Sequence, residues 1–505
     1  MNTDKLRSQF MSARRFGVPL IGIESPDMAA TITFCAKAMD DNGSTPPIFS
    51  WDIVNGLKWL NKAGETAMNR LNISAPDALA EQTINPLEML VFLGRVEERS
   101  CIFMMNAHRF YDGEGVVQAI WNLRDKFKAS KRTLVLLGPA ISLPAELEKD
   151  VLVFDEPLPD DAYLGGIADS LYALIPNTVK FPKVMREQTV KAARGLSAFG
   201  AEQAIALSLT KTGIDTDTLW EHKRKMIEQT KGLRVYQGGE TFDDIGGIER
   251  VKEFGRLLFA GTEPPAAIIW VDEIEKAMAG STGIGCDTSG TSQDQLGQLL
   301  TEMQNNEWSG MILPGPPGTA KSLYAKALGV THGVPCIQLD LGAMKGSLVG
   351  QSEQQVRAAM KVIKAVAGKN AHWVATCNRM EALPPELRRR FTDGVYFFDL
   401  PDEAERASIW TIMRKKYKIT DGQIQPEDFN YTGADIRNVC AIAYRLKITL
   451  KKAAGYITPV AKSDPASIER LRKLAHGSFL SSSKEGLYQY QPNAETATAT
   501  GRVLN

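Results

Sequence analysis

Residues 315–322 read Gly-Pro-Pro-Gly-Thr-Ala-Lys-Ser, set between the apolar run Met311–Leu313 and the helix former Leu323-Tyr-Ala-Lys-Ala-Leu328. Strand, glycine-rich turn, Lys-Ser and helix in that order predict a loop that wraps phosphate. Glycines let backbone N–H groups turn toward a β-phosphate at a helix N-terminus, where the peptide dipoles favour an anion. Lys321 supplies charge to the β- and γ-phosphates, and Ser322 supplies a hydroxyl to Mg2+. Gly315, Pro316, Pro317, Gly318, Thr319, Ala320, Lys321 and Ser322 are therefore the expected nucleotide contacts. One position departs from the pattern: the residue before the lysine is Ala320, not glycine. A methyl is tolerated there if the local φ is negative.

Upstream, Ala266-Ala-Ile-Ile-Trp-Val-Asp-Glu273 reads as a buried strand ending in two acids. Carboxylates at the carboxyl end of a parallel strand lie in the crevice where ligands bind. Asp272 is expected to hold Mg2+, directly or through water, and Glu273 to polarise the attacking water. Asn378, at the end of the strand Trp373–Thr376, is placed to orient the same water. Arg388-Arg-Arg-Phe391 reads either as a solvated charge run or as arginine fingers, Arg389 and Arg390, that reach a neighbouring subunit's γ-phosphate. Gly280–Gly285 is expected to be a mobile loop, and Ser292 with Gln295 and Ser352 with Gln355 form capping boxes. The second box opens a helix with Val356, Met360, Ile363 and Ala367 on one face and Gly368 beyond its end, a core stripe.

The chain has 505 residues, 44% apolar and 23% charged, which fits a soluble protein of several domains. Lys+Arg and Asp+Glu are both 59, so no bulk field draws it to nucleic acid or an anionic membrane. Its apolar stretches fall short of the ~20 residues that cross a bilayer. Arg14-Arg15 before Gly17–Ile23 faintly suggests an export signal, but Glu24 ends the apolar run too soon. Six scattered cysteines and five histidines without ligand spacing disfavour a disulfide framework and a zinc site, so a reducing cytoplasm is expected.

Residues 17–200 alternate apolar strands (Gly17–Ile23, Pro47–Trp51, Cys101–Met105, Thr133–Leu137) with helical stretches, which predicts a parallel sheet covered by helices. Leu143-Pro-Ala-Glu-Leu147 with Leu158-Pro-Asp160 matches Leu383-Pro-Pro-Glu-Leu387 with Leu400-Pro-Asp402, so the two halves read as copies of one module. The first copy has lost the chemistry. Gly138 stands for Asn378, Asn106 follows the strand instead of paired acids, and Glu24-Ser-Pro-Asp27 cannot wrap a phosphate.

The second half resembles the AAA-type ATPases. Phe242-Asp-Asp-Ile-Gly-Gly247 is similar to the family's opening segment beside adenine, which brings in Gly246. Thr432-Gly-Ala-Asp-Ile-Arg437 is similar to the start of its second sensor helix, which brings in Gly433 and Arg437. Over residues 15–490, including Ala453-Ala-Gly-Tyr-Ile-Thr-Pro-Val-Ala461, the chain is similar to the two-part AAA proteins of cyanobacteria, plastids and some phages. There a degenerate AAA copy precedes an active one. The resemblance implies an α/β fold: a parallel P-loop NTPase sheet over 241–401 with a helical lid over 402–490. Before these come a degenerate AAA-like α/β domain over 1–200 and a helical linker over 201–240, and a disordered tail follows over 491–505. It implies ATP and Mg2+ as ligands and ATP hydrolysis as the activity. It further implies a homo-oligomeric ring, a hexamer, because arginines 389 and 390 serve only across an interface in the family geometry. The protein partner is not readable. Gly346-Ser-Leu-Val-Gly350 matches the family's pore loop, with Leu348 where threading enzymes carry an aromatic. Two other readings are a nucleotide-gated scaffold with little turnover and a nucleic-acid remodeller, the latter opposed by the balanced charge.

The order of motifs is permuted. In AAA modules the phosphate loop precedes the acidic strand, whereas here Asp272-Glu273 precede Lys321, as if blocks 262–305 and 307–368 had been exchanged. The family's strand order is 5-1-4-3-2, and the three new junctions, near Gly261, 305–307 and 368–370, all lead from helix to strand on the edge opposite the catalytic loops. Each rerouted connection shifts by one or two strands, ~5–10 Å at ~4.8 Å per strand, so the site is expected to survive.

Overall fold

The apolar runs near the N-terminus all become strands, because each can bury both faces under helices. The computed structural model describes residues 2–40, 45–73, 75–156, 158–175, 181–277, 291–344, 351–383, 385–420 and 422–490. It divides into two compact units, Met1–Lys223 and Arg224 onward, and the division falls inside the helix Thr216–Gln229.

The first unit holds β1 (Leu20–Glu24), β2 (Ile48–Asp52), β3 (Gly56–Trp59), β4 (Cys101–Met104), β5 (Thr133–Gly138) and β6 (Leu152–Asp155) in the order β3-β2-β4-β5-β1-β6. All neighbours are parallel except β2 and β3, which form a hairpin. A small hairpin of β7 (Leu209–Thr210) and β8 (Gly213–Ile214) follows.

The second unit holds β9 (Leu233–Val235), β10 (Ala267–Val271), β11 (Ser309–Pro314), β12 (Cys336–Leu339) and β13 (Ala371–Cys377) in the order β11-β13-β10-β12-β9. β9 lies within the span expected to be a helical linker; it is instead an antiparallel edge strand on β12. β14 (Tyr396–Phe397) extends the sheet beyond β11 through the parallel bridge Ile312–Val395, and β15 (Leu480–Ser481) pairs with β14. Side chains alternate along these strands. Ile269 and Val271 of β10 join one core layer with Ile312 and Trp373, while Ile268 and Trp270 join the other with Met311 and Leu313. Helices Glu403–Lys416 and Gly433–Leu446, each opened by a capping box (Asp402 with Glu405, Thr432 with Asp435), build a separate lid core around Trp410, Ile436 and Val439.

The two sheets have the same spatial plan. β6-β1-β5-β4-β2 in the first corresponds to β14-β11-β13-β10-β12 in the second, and each carries an antiparallel strand on the last member. Only the path of the chain differs. The helices Glu249–Ala260, Thr291–Asn305 and Gln351–Ala367 lead into β10, β11 and β13, so the three rerouted junctions are helix-to-strand connections, as expected. The helix Gln351–Ala367 buries Val356, Met360, Ile363 and Ala367, and Gly368 beyond it adopts φ +60°. The expected loop 280–285, the pore-loop match 346–350, the tail 491–505 and the capping side chains of Ser292, Gln295 and Ser352 lie outside the described residues. Among the described residues no helix is long and apolar enough to cross a membrane.

Candidate functional site

The phosphate-type loop is fixed by its neighbours. The N–H of Gly315 donates to the carbonyl of Cys377 (3.1 Å), and a Cβ on Gly315 would come 2.2 Å from the Phe398 carbonyl oxygen. Gly318 sits at φ +85° against Thr432, and its carbonyl accepts from the N–H of Ala434 in the lid (3.2 Å). The Thr319 hydroxyl closes the turn on Pro316 O at 2.9 Å. Ala320 corrects one expectation: its φ is +69°, not negative, and it stands immediately before the helix Lys321–Thr331. A left-handed alanine costs about 1–2 kcal/mol relative to a relaxed residue. Ala320→Gly should therefore raise the unfolding free energy by about 1 kcal/mol, read as a higher urea midpoint at unchanged slope; a midpoint equal to or below wild type would contradict the strain.

Lys321 is 6% exposed, and its Nζ donates to the carbonyls of Gly315 (2.8 Å) and Pro316 (2.6 Å). Burial pulls its pKa down to about 8, against a partial opposing pull from Cys377, Glu275, Asp272 and Glu273. No carboxylate pairs directly with it among the described residues. A buried ammonium held only by carbonyl dipoles is the donor set that an incoming phosphate would complete.

The carboxyl ends of β10 and β13 bring the acids to the same place. Asp272 Oδ1 accepts from the hydroxyls of Ser322 and Thr376, both at 2.7 Å. The N–H of Glu273 donates to Thr376 Oγ1 (2.9 Å), and Glu273 Oε1 accepts from the side-chain amide of Asn378 (2.9 Å). Lys276 pairs with Glu273 Oε2 and is held above the usual lysine range by that hydrogen bond. Glu275, 4% exposed, accepts from the backbone N–H of Asn378 (2.9 Å). Glu273 has φ +49°, and Asn106, at the same place after β4, has φ +54°. The turn therefore belongs to the module, but Asn adopts it more readily than Glu does.

A cavity of about 400 Å³ opens over these groups. Asp272, Glu273, Lys321, Ser322 and Asn378 supply its polar wall, and Ile245, Ile409 and Met413 an apolar one, with Pro317, Gly318, Ala320, Gly246, Gly433 and Arg437 also lining it. That volume suits a nucleotide-sized ligand. Gly246 is small because a Cβ there would press on Ile409 of the lid at 2.7 Å. Gly315, Pro316 and Thr319 form the loop without lining the cavity, and Arg389 and Arg390 do not line it either. They end the helix Pro385–Arg390, with Arg389 exposed and Arg390 half-buried. The Ser322 hydroxyl and the Asp272 carboxylate are oxygen donors of the kind Mg2+ takes alongside substrate phosphates and water, so the residues fit that ion.

Thr376, Glu275, Lys276 and the lid residues Ile409 and Met413 escaped sequence reasoning. A threonine ending an otherwise apolar strand was the one local signal for the first; the lid contacts had none.

Among the described residues the first unit carries no such cradle. Three residues, Ser25-Pro-Asp27, connect β1 to the helix Met28–Asp40, whereas six, 315–320, connect β11 to its helix. The Asp27 carboxylate itself accepts from the N–H of Ala30 (3.0 Å), and the Thr31 hydroxyl donates to Glu156 (2.6 Å). Carboxylates already occupy the helix start, and the adjoining cavity is about 50 Å³. Strand register also corrects one correspondence. Ser25 N–H meets Gly138 O as Gly315 N–H meets Cys377 O, so Gly138 matches Cys377 and Pro139 matches Asn378.

Comparison with known proteins agrees with this layout. Residues 6–156 match the family described as SpoVK-like AAA ATPase, N-terminal domain, and residues 162–230 match the second domain of the same group. Residues 311–372 match the ATPase family associated with various cellular activities. That last match covers the loop but leaves out Asp272 and Glu273, which this chain places upstream. An uncharacterized AAA domain-containing protein, ycf46, from Guillardia theta is 23% identical over 439 residues, 77% of this chain and 76% of its own length. The ycf46 protein of Gracilaria tenuistipitata var. liui is 25% identical over 68% of this chain and 72% of its own. A proteasome-activating nucleotidase of Saccharolobus islandicus is 27% identical over 219 residues, 32% of this chain.

Proposed function

Because the chain sets the N-terminal and second domains of a SpoVK-like AAA ATPase ahead of an AAA domain, we propose that it binds ATP with Mg2+ and hydrolyses it to remodel or regulate a protein partner. The observation that carries this reading is the convergence of Lys321, Ser322, Asp272, Glu273 and Asn378 on one cavity although the chain visits them out of the usual order. Lys321 and the loop N–H groups hold the phosphates, and Arg437 and Gly433 close the site from the lid. Ser322 and Asp272 would hold Mg2+, which would supply positive charge against the phosphates. Glu273, oriented by Asn378, accepts the proton of the attacking water as its oxygen bonds to the γ-phosphorus, and ADP leaves. The first unit, with its short self-capped loop, serves as a structural or regulatory body. In the whole chain we take 1–200 as the degenerate domain, 201–240 as a connecting segment whose end supplies the edge strand β9, 241–401 as the remainder of the ATPase core, 402–490 as the lid and 491–505 as a tail.

Since Arg389 and Arg390 do not line their own chain's cavity, we assign them to a neighbour's site in a homo-oligomeric ring, a hexamer. The double Ala variant should bind ATP and hydrolyse it slowly, roughly 10³-fold below wild type. Mixing it with Glu273→Gln should restore part of the activity, because some mixed interfaces pair an intact Glu273 with intact arginines. A double variant as active as wild type returns the cluster to a solvated charge run.

One observation favours a second reading, a nucleotide-gated scaffold with little turnover. Both oxygens of Glu273 are engaged, one by Asn378 and one by Lys276. Steady-state phosphate release by the wild-type protein decides: sustained turnover supports the ATPase, and a single stoichiometric binding event without release supports the scaffold.

A further inference from the structure

Resting on the ATPase reading of this site, we propose that Thr376 is a positioning residue that locks the two acids following β10 to β13, the strand that leads into Asn378. The residue is 1% exposed, and its hydroxyl is used in both directions. The proton goes to Asp272 Oδ1 at 2.7 Å, and a lone pair accepts the N–H of Glu273 at 2.9 Å. One hydroxyl thereby fixes the carboxylate meant for the cation and the backbone of the residue meant for the water.

The geometry divides the work of Asp272 between its oxygens. Oδ1 receives both Thr376 and Ser322, so Oδ2, which has no hydrogen-bond partner among the described residues, is left for the cation or a water on it. Rotation of the carboxylate would exchange the two oxygens, and Thr376 opposes that rotation from a rigid central strand. Its second bond holds Glu273 at φ +49°, a backbone state that persists in a non-glycine residue only when the surroundings dictate it.

The first unit supplies an internal comparison. The registers Met104–Leu136 and Val271–Ala375 place Leu137 where Thr376 stands. Leu137 is fully buried in a strand of the same plan, and the acids it would serve are replaced by Met105 and Asn106. The module folds with an apolar residue at this position. The hydroxyl is present in the copy that has acids to hold, which separates its role from that of strand packing.

The test compares Thr376→Val with Thr376→Ser in the full chain, measuring ATP turnover and the affinity for a fluorescent ATP analogue with and without Mg2+. Groups that orient metal ligands typically contribute 10–100-fold to activity or metal affinity. Thr376→Val should lose about 10–100-fold in turnover, and the gain in analogue affinity on adding Mg2+ should shrink by about 10-fold, with metal-free affinity unchanged. Thr376→Ser should restore both. Wild-type turnover and Mg2+ response in Thr376→Val would overturn the inference, as would a Ser variant no better than the Val variant, because the effect would then follow packing. If Thr376→Val does not fold, Thr376→Ala removes the same hydroxyl and carries the same expectation. A wild-type protein that neither hydrolyses ATP nor binds it more tightly with Mg2+ would overturn the underlying ATPase reading instead.

Discussion

Glu273→Gln keeps ATP affinity within a few-fold and loses most of the turnover, by about 10²–10⁴-fold. The amide keeps the shape of the carboxylate, and its oxygen can still accept from Asn378, so the cavity wall persists. What disappears is the basicity that takes a proton from water. Loss of the pairing with Lys276 is a small effect, since Lys276 is 66% exposed and such surface pairs are worth little. Phosphate release under single-turnover conditions, set beside equilibrium binding, separates the two quantities. Equal turnover would remove Glu273 from the mechanism, and a parallel loss of affinity would make it a binding residue.

Lys321→Met weakens ATP binding strongly without weakening the ligand-free fold. Truncating one partner of a buried, hydrogen-bonded charge pair costs about 2–5 kcal/mol, which is roughly 30- to several-thousand-fold in affinity. Calorimetric titration showing wild-type affinity would sink the site assignment. The stability half of the prediction has a pH signature. Burial lowers this lysine to about 8 in the folded chain, so below pH 8 the folded state carries a charge that it disfavours. Between about pH 8 and the ordinary lysine pKa the unfolded chain holds the extra proton, and wild-type stability rises with pH. Lys321→Met should therefore melt at or above the wild-type temperature at pH 7, with the margin closing as pH rises toward 10. A Met variant that melts lower at pH 7 would show that the two carbonyl contacts outweigh the buried charge.

Gly315–Ser322 was legible because its chemistry is local: a strand, a turn requiring small residues and a helix N-terminus are contiguous in the chain. Asp272 and Glu273 were legible for the same reason, since acids closing an apolar strand point to a crevice wherever that strand lies in a sheet. The sign of φ at Ala320 was not. A glycine there would have announced a left-handed turn, whereas alanine is silent, and the turn is imposed by the loop's contacts with the lid and with β13. The one-residue shift that matches Gly138 to Cys377 depends on hydrogen bonds between strands far apart in the chain, and only the sheet register reveals it.

The amino-acid sequence by itself determined that this protein has two related α/β modules, one with a phosphate loop and paired acids and one without. It also placed β1, β2, β4, β5, β10, β11 and β13 to within a few residues. Tertiary structure alone decided that Ser322, Asp272, Thr376 and Asn378 share one set of hydrogen bonds, that Leu233–Val235 is an edge strand, and that Leu480–Ser481 returns to pair with β14. The physical reason is that side-chain periodicity records which face of an element is buried but not which element covers it. A parallel strand pairs through its backbone, and the helix-to-strand connections lie away from the site, so β10 can precede β11 and still take the same place in the sheet. Chain order was therefore free to change, while the positions of the strands were held by the layers they bury.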